Sequence, residues 1–440
     1  MNTPFFGDNH VDALSIQQKQ ALDIIVNHSK CTPIIPLYMI IRGTTGTGKS
    51  YLINCIRSAL NGSTQQETNQ LLTLAPTGVS AFNIHASTIH SAQCIPIKEM
   101  QPLQGQALTT FQEDLKTIRY ILIDEMSFIG LKLLLKIDSR LRQAFSYKSN
   151  LCFGGVSIVL VRDLAQLPPV MDRPIYSARA GARLLWEKFT TVVTLEMLYR
   201  QQGDSDQQVQ FRKALENIRN ASPTQANWEL LMTRGHMKIP PSERKEFESA
   251  THLFSTNDLV KYHNKKMLQQ LNLPVALSLA TKTRSMTNST AEDEQLETEV
   301  LLCKGQRIML TTNVWTQAGL VNGALGEVID IVYSTEARPP DLPLYVVARM
   351  EKYVGPSWNA ANPTFIPITP VSLGSRRQLP IRMAWAMTIH KSQGLTLQKA
   401  TIDIGRTERQ GLTFTALSRV KNLDSLCLQP AFSFQRLLRM

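Results

Sequence analysis

Five short apolar runs punctuate the first 200 residues, and the amphipathic stretches between them constrain the fold more than any other feature of the chain. The runs are Leu37 to Ile41, Leu71 to Ala75, Tyr120 to Ile123, Val156 to Val161 and Val192 to Leu195, all rich in Ile, Leu and Val. Such continuous apolar character, rather than in–out alternation, suits strands covered by helices on both faces. Between the runs, Ser50 to Leu60, Val79 to Ile84 and Leu131 to Phe145 read as helices. In the last of these, Leu134, Ile137, Leu141 and Phe145 recur at three- and four-residue steps. Alternating strands and helices predict a doubly wound parallel α/β layer.

The pattern then changes. Gln207 to Gln270 reads as mostly helical, with Phe211, Leu215 and Ile218 on one face and a strand-like run at Thr251 to Phe254. Arg307 to Leu310, Glu327 to Val332 and Leu344 to Met350 read as antiparallel strands, separated by turn chemistry at Asn322-Gly323 and Pro339-Pro340. After the Pro-rich stretch from Pro356 to Pro370, Ile381 to Ala386, Ala400 to Ile404 and Ser425 to Leu428 restore the α/β alternation. The expectation is two α/β domains with a small β-rich insertion in the second. The expected boundaries are 1–190, 191–300 for the first part of the second domain, 301–380 for the insertion, and 381–440.

Composition narrows the function classes. Of 440 residues, 43% are hydrophobic and 19% charged, which is globular rather than disordered. A net charge of +12 suits a polyanionic partner. No apolar run approaches the roughly 18 residues of a membrane span, so no membrane role is expected. Met1-Asn2-Thr3-Pro4 opens no secretory signal pattern. The six cysteines contain no Cys-x-x-Cys pair, which argues against a zinc ribbon or a disulfide framework and fits a reducing compartment.

Gly43-Thr44-Thr45-Gly46-Thr47-Gly48-Lys49-Ser50 matches the phosphate-binding pattern G-x-x-x-x-G-K-[ST] in full. An apolar strand leads in and a helix leads out, so backbone N–H groups and a helix N-terminus face the phosphates. Lys49 reaches phosphate oxygens, and the Ser50 hydroxyl is a Mg²⁺ ligand. Ile121-Leu122-Ile123-Asp124-Glu125 ends an apolar strand in two carboxylates. A parallel sheet puts both beside the loop, with Asp124 on Mg²⁺ and Glu125 orienting and deprotonating a water. The expected ligands are a nucleoside triphosphate and Mg²⁺.

With these parts in place, the sequence resembles superfamily-one DNA helicases of the RecD/Pif branch, including those of rolling-circle transposons, from about Leu14 to residue 430. Leu14-Ser15-Ile16-Gln17-Gln18 looks like the family's adenine-reading motif, with Gln18 in the critical place. Ala75-Pro76-Thr77-Gly78-Val79-Ser80-Ala81 and Thr88-Ile89-His90-Ser91 look like its single-strand-contacting motifs. Gln166, in Gln166-Leu167-Pro168-Pro169-Val170, occupies the γ-phosphate-sensing position. Leu198-Tyr199-Arg200-Gln201 and Ala416-Leu417-Ser418-Arg419-Val420 resemble the motifs that place arginines on the triphosphate. The most specific string is Ala384-Trp385-Ala386-Met387-Thr388-Ile389-His390-Lys391-Ser392-Gln393-Gly394.

The resemblance implies two RecA-like P-loop domains with a small SH3-like β insertion in the second. It implies a monomeric ATP-dependent helicase moving 5′-to-3′ on single-stranded DNA and opening partly duplex DNA. Lys49, Glu125, Gln166, Arg200 and Arg419 would be catalytic. Gln18, Gly43, Thr45, Gly46, Thr47, Gly48, Lys49, Ser50 and Gly394 would hold nucleotide, and Ser50 and Asp124 the metal. Pro76, Thr77, Gly78, His90, Thr388, His390 and Ser392 would meet DNA through loop amides and hydroxyls. Trp315, Tyr353 and Trp358 are stacking candidates in the insertion, although small-barrel core is the more ordinary reading. The family serves telomere maintenance, recombination, DNA repair and transposition. A nuclear home is expected, with mitochondrion or cytoplasm as alternatives.

One departure stands out. Val161-Arg162-Asp163-Leu164 has Arg162 where the family has glycine. A displaced Gln166 loop and reduced turnover are expected from it, unless Arg162 points to solvent. The alternative function is therefore a hydrolysis-impaired DNA-binding remnant of a mobile-element or paralogous helicase.

Overall fold

The computed structural model describes residues 13–438 except 34, 45, 62–68, 97–98, 162, 164–165, 170, 178–180, 198, 200–202, 204 and 283–295. Arg162, Arg200 and Thr45 therefore lie outside the described residues. The chain forms two compact units, residues 1–204 and 205–440. Among the described residues, no helix is long and apolar enough to cross a membrane.

The first unit is built on a six-stranded sheet of β1 (Tyr38–Gly43), β2 (Leu71–Ala75), β3 (Ser87–Thr88), β4 (Tyr120–Ile123), β5 (Ser157–Val161) and β6 (Thr191–Leu195). The order is β3-β2-β4-β5-β1-β6, and every pairing is parallel. All residues of β4 and β5 are buried, as the apolar runs predict. Successive residues feed opposite cores. Ile121 and Ile123 join one cluster with Ile137 and Leu141, while Tyr120 and Leu122 join another with Leu52 and Ile56.

Among the described residues, seven α-helices accompany this sheet: α1 (Ile16–Ser29), α2 (Lys49–Asn61), α3 (Gly78–Asn83), α4 (Ile89–Ala92), α5 (Gly105–Leu115), α6 (Leu131–Ala144) and α7 (Gly181–Trp186). Helix α1 begins with a capping box, in which the Ser15 hydroxyl accepts from the Gln18 N–H while the Gln18 side chain accepts from the Ser15 N–H.

The expected boundary at residue 190 is corrected by β6. Met39 to Gly43 pair in register with Thr191 to Leu195, so backbone hydrogen bonds hold that strand in the first sheet.

In the second unit, α8 (Asp206–Arg219), α9 (Gln225–Met232) and α10 (Pro241–Glu248) precede β7 (Thr251–Phe254) and α11 (Asn257–Gln270). Phe211, Leu215 and Ile218 are buried together on α8, as their spacing predicts. A β-rich region follows: β8 (Ala276–Leu279), β9 (Thr281–Lys282), β10 (Glu299–Leu302), β11 (Arg307–Leu310), β12 (Leu325–Val332), β13 (Tyr345–Met350), β14 (Phe365–Ile368), β15 (Val371–Leu373), β16 (Arg376–Gln378) and β17 (Ile381–Met383). Its main sheet, β14-β13-β12-β11-β17, is antiparallel throughout. The region exceeds the expected limits of 301–380. Strands β8 and β9 pair with β10 and β16, and β17 pairs with β11.

The chain then returns to a four-stranded parallel sheet, β18-β7-β19-β20, with β18 (Ala386–Thr388), β19 (Ala400–Asp403) and β20 (Leu426–Leu428). Helices α12 (Leu412–Leu417) and α13 (Phe434–Leu438) complete the unit. The apolar run Ile381 to Ala386 is thus divided between two sheets. Asn264 of α11 stitches the break, donating to the Met383 and Ala386 carbonyls at 3.2 Å and accepting from the Ala386 N–H at 2.8 Å.

Candidate nucleotide and nucleic-acid sites

A parallel sheet delivers every strand's end to one edge, and in the first unit that edge collects the candidate residues. Gly43 ends β1, and Lys49 starts α2, with the phosphate-loop string between them. Gly46 and Gly48 have φ of 95° and 72°, a left-handed backbone that glycine adopts without cost. Packing demands glycine as well. A Cβ on Gly43 would lie 2.6 Å from Thr47 Oγ1, and one on Gly48 would lie 2.5 Å from Gln18 Nε2.

The Lys49 ammonium donates to the carbonyls of Gly43 at 2.9 Å and Thr44 at 2.5 Å, folding its side chain back over the loop. Thr47 is buried, and its hydroxyl donates to the Thr44 carbonyl at 3.0 Å. Ser50, one residue into the helix, is exposed. A helix N-terminus under a tight glycine-bearing loop attracts anions.

Gln18 is placed differently from its expected role. It is 1% exposed, and its Nε2 donates to the Thr47 and Gly48 carbonyls at 3.1 and 3.4 Å. With its Oε1 held in the capping box, the side chain braces the loop from the protein side. Sequence reasoning missed Tyr199 as a member of this site. Its N–H donates to the Gly46 carbonyl at 2.6 Å, and its ring lies 3.1 Å from where a Gly48 Cβ would stand. The available signal was its place in the quoted string ending in Arg200 and Gln201.

Asp124 and Glu125 follow β4, two strands from β1, and both are buried. Glu125 has φ 60° and ψ 41°, a left-handed conformation unusual outside Gly, Asn and Asp. Strain of this kind gathers at functional positions. Gln166, beyond β5, is 1% exposed, and its N–H reaches the Asp163 carbonyl at 3.5 Å. Asp124 and the Ser50 hydroxyl supply hard oxygen donors suited to Mg²⁺.

On the other side of the same edge lie the candidate DNA contacts. Pro76, Thr77 and Gly78 link β2 to α3, and His90 lies in α4, just past β3. Pro76, Thr77 and His90 are half-buried, while Gly78 is buried. The Thr77 hydroxyl caps α3, accepting from the Ser80 N–H at 3.2 Å and donating to Ser80 Oγ at 2.9 Å. Burial, and then the Lys136 charge, lower the His90 pKa, making its imidazole a neutral partner near pH 7.

The second unit's candidates gather after β18. Thr388 stands at the N-cap position of a short 3₁₀ turn, Ile389–Ser392, without a side-chain cap bond, and both it and His390 are half-buried. Burial, followed by Arg409, keeps the His390 imidazole below its usual pKa. Ser392 is corrected as a side-chain contact. It is 0% exposed, and its hydroxyl donates to the Ile389 carbonyl at 2.7 Å. Gly394 turns the chain with φ 83°.

Arg419 also departs from expectation. It is 0% exposed, and its Nε donates to the Thr415 carbonyl at 2.7 Å. Its Nη1 reaches the Ser392 and Leu395 carbonyls at 3.3 and 3.2 Å, while Nη2 reaches Ser418 Oγ at 2.8 Å. The guanidinium therefore clamps the loop around Gly394 to α12, and a phosphate contact would require giving up part of this set. The barrel-core reading of the two tryptophans is overturned, since Trp315 and Trp358 are 43% and 54% exposed.

Residues 13–228 match the family described as PIF1-like helicase. A human relative, "ATP-dependent DNA helicase PIF1", is 30% identical over 399 residues, covering 87% of this chain and 57% of its own length. The chain thus spans somewhat over half of the vertebrate relatives it matches. "ATP-dependent DNA helicase Pif1" of Campylobacter jejuni is 26% identical, with 88% of each chain covered. The crystal structure of a Bacteroides Pif1 helicase with ADP-AlF3 and single-stranded DNA has a TM-score of 0.71 at 22% identity, covering 97% of this chain and 94% of its own. That likeness shows the fold.

Proposed function

We propose that this chain, whose residues 13–228 match the PIF1-like helicase family, is an ATP-dependent DNA helicase, moving 5′-to-3′ on single strands and separating duplex DNA. The observation that carries this reading is the shared edge of the first sheet. Strands β4, β5 and β1 present the phosphate loop, the paired carboxylates and Gln166, while β3 and β2 present Pro76, Thr77, Gly78 and His90. Nucleotide and strand would thus meet adjoining parts of one rigid sheet, a direct route for coupling. The +12 charge supports a backbone grip weakened by salt.

In this reading the loop amides and Lys49 would hold the ATP phosphates, and Ser50 and Asp124 would hold Mg²⁺. Bound Mg²⁺ supplies charge neutralisation on the phosphate oxygens. Glu125 orients the attacking water and takes its proton, and Gln166 senses the γ-phosphate. Arg200 supplies positive charge to the triphosphate, and Arg419 acts by holding its own loop. The protein acts as a monomer.

ATP hydrolysis measured with and without single-stranded DNA tests the reading, with Lys49→Ala and Glu125→Gln as controls. Stimulation by DNA, lost in both variants, is expected. DNA binding without hydrolysis would instead favour the remnant reading motivated by Arg162. Partial duplexes with opposite tails test polarity, and preferential opening from a 3′ tail would refute the direction.

A further inference from the structure

At the edge of the first sheet opposite the phosphate loop lies a cavity of about 690 Å³. Its walls are the segments that enter the strands: Gln70 before β2, Thr117 to Arg119 before β4, and Gly154 to Val156 before β5. Because the strands are parallel, their starts share this edge and their ends share the other. Four to six residues at about 3.3 Å each separate the two edges by roughly 13–20 Å. This cavity is therefore distinct from the nucleotide site.

Its chemistry is cationic and aromatic. Lys116, Arg119 and Lys148 line it, all exposed; its described lining contains no carboxylate, but the Lys116 ammonium is already paired with Glu113 at 2.6 Å. Tyr147 is 75% exposed, an unusual position for a large ring, and Phe145 meets it edge-on with centroids 6.4 Å apart. The Lys148 ammonium stands 5.4 Å from the Tyr147 ring centroid. Gly155, with φ 74°, makes room for the lysine stem, since a Cβ there would lie 2.9 Å from Lys148 Cδ. An aromatic face among cations matches the alternation of base and phosphate along a nucleic-acid strand.

We propose that this cavity is a second nucleic-acid subsite, taking single-stranded DNA with phosphates on Arg119 and Lys148 and a base against Tyr147. The inference rests on the DNA-binding function proposed above and adds a contact outside that function's motifs. A free mononucleotide offers the same chemistry, so the test includes it.

The test uses the full chain, the Arg119→Ala/Lys148→Ala double variant and Tyr147→Ala. None of these residues touches the phosphate loop, so ATP hydrolysis without DNA stays unchanged. Binding of labelled oligo-dT is followed by fluorescence anisotropy, with one strand of about 30 nucleotides and one of about 8. Each variant should bind the long strand about five- to tenfold more weakly. The double variant should also flatten the log–log salt dependence by about 1–2. The short strand should bind all three proteins alike.

Unchanged long-strand affinity and salt slope would overturn the proposal. Mononucleotide binding that the variants abolish, with strand affinity intact, would overturn it too. If the unmodified protein bound neither oligonucleotide, the general DNA-binding reading would fail along with this site. Loss confined to the variants isolates the subsite.

Discussion

The ammonium of Lys49 lies 2.9 Å from the carbonyl oxygen of Gly43, the residue six positions earlier that opens its own loop. The lysine closes the loop on itself, held by Thr44 as well. A phosphate taking this place would compete with two neutral carbonyls and bring full negative charge, so the exchange favours the anion.

Glu125 combines a strained backbone with a reactive side chain, and two substitutions separate the effects. Glu125→Gln keeps the strain and removes the base, so hydrolysis should fall about 10²–10⁴-fold with little change in stability. Glu125→Asn removes the base equally but suits the left-handed conformation, and should raise stability by about 0.5–1 kcal/mol. Thermal melts beside ATPase assays check this; equal melting temperatures would mean that φ 60° carries no cost.

Gln18 is expected to act through the loop it braces. Gln18→Glu keeps an acceptor for the Ser15 N–H but loses both donors to the Thr47 and Gly48 carbonyls. Affinity for a fluorescent ATP analogue should fall about tenfold, matching about 1–2 kcal/mol of lost hydrogen bonding. A change in base preference with unaltered affinity would point instead to direct adenine reading.

For Arg419, stability is the discriminating measurement. Arg419→Ala removes four buried hydrogen bonds, to the Thr415, Ser392 and Leu395 carbonyls and to Ser418 Oγ, and should destabilise the second unit by about 2–4 kcal/mol. Protease cleavage within residues 205–440 at rising temperature reads this directly. A variant that resists proteolysis like the parent, yet hydrolyses ATP slowly, would restore the role of a phosphate-contacting arginine.

His252 gives the second unit a predictable acid response. Its ring centroid lies 4.0 Å from that of His263. Burial first, then His263 and more weakly His236, lower its pKa to about 4, although the Ala250 carbonyl opposes the shift. Above about pH 6.5 it is neutral folded or unfolded. Between there and about 4 only the unfolded chain takes the proton, so stability is lost as pH falls through this window. The loss is at most roughly 3 kcal/mol. His252→Phe should flatten that part of the pH–stability curve, measured by urea titration at several pH values.

The sequence by itself determined the strands of the first sheet and the phosphate loop, because both are written locally. A run apolar on every residue has few other uses, and glycines at fixed spacing before Lys49 specify a turn. Partnership at a distance was not written there. Nothing local says that Ile381 and Ala386 belong to different sheets, or that Thr191 pairs with Met39, since hydrogen-bond registers depend on chain far away. The tertiary structure likewise decided that Arg419 faces inward and that Trp315 and Trp358 stay exposed. A side chain's burial depends on which distant carbonyls and apolar atoms surround it, and only the folded chain brings those together.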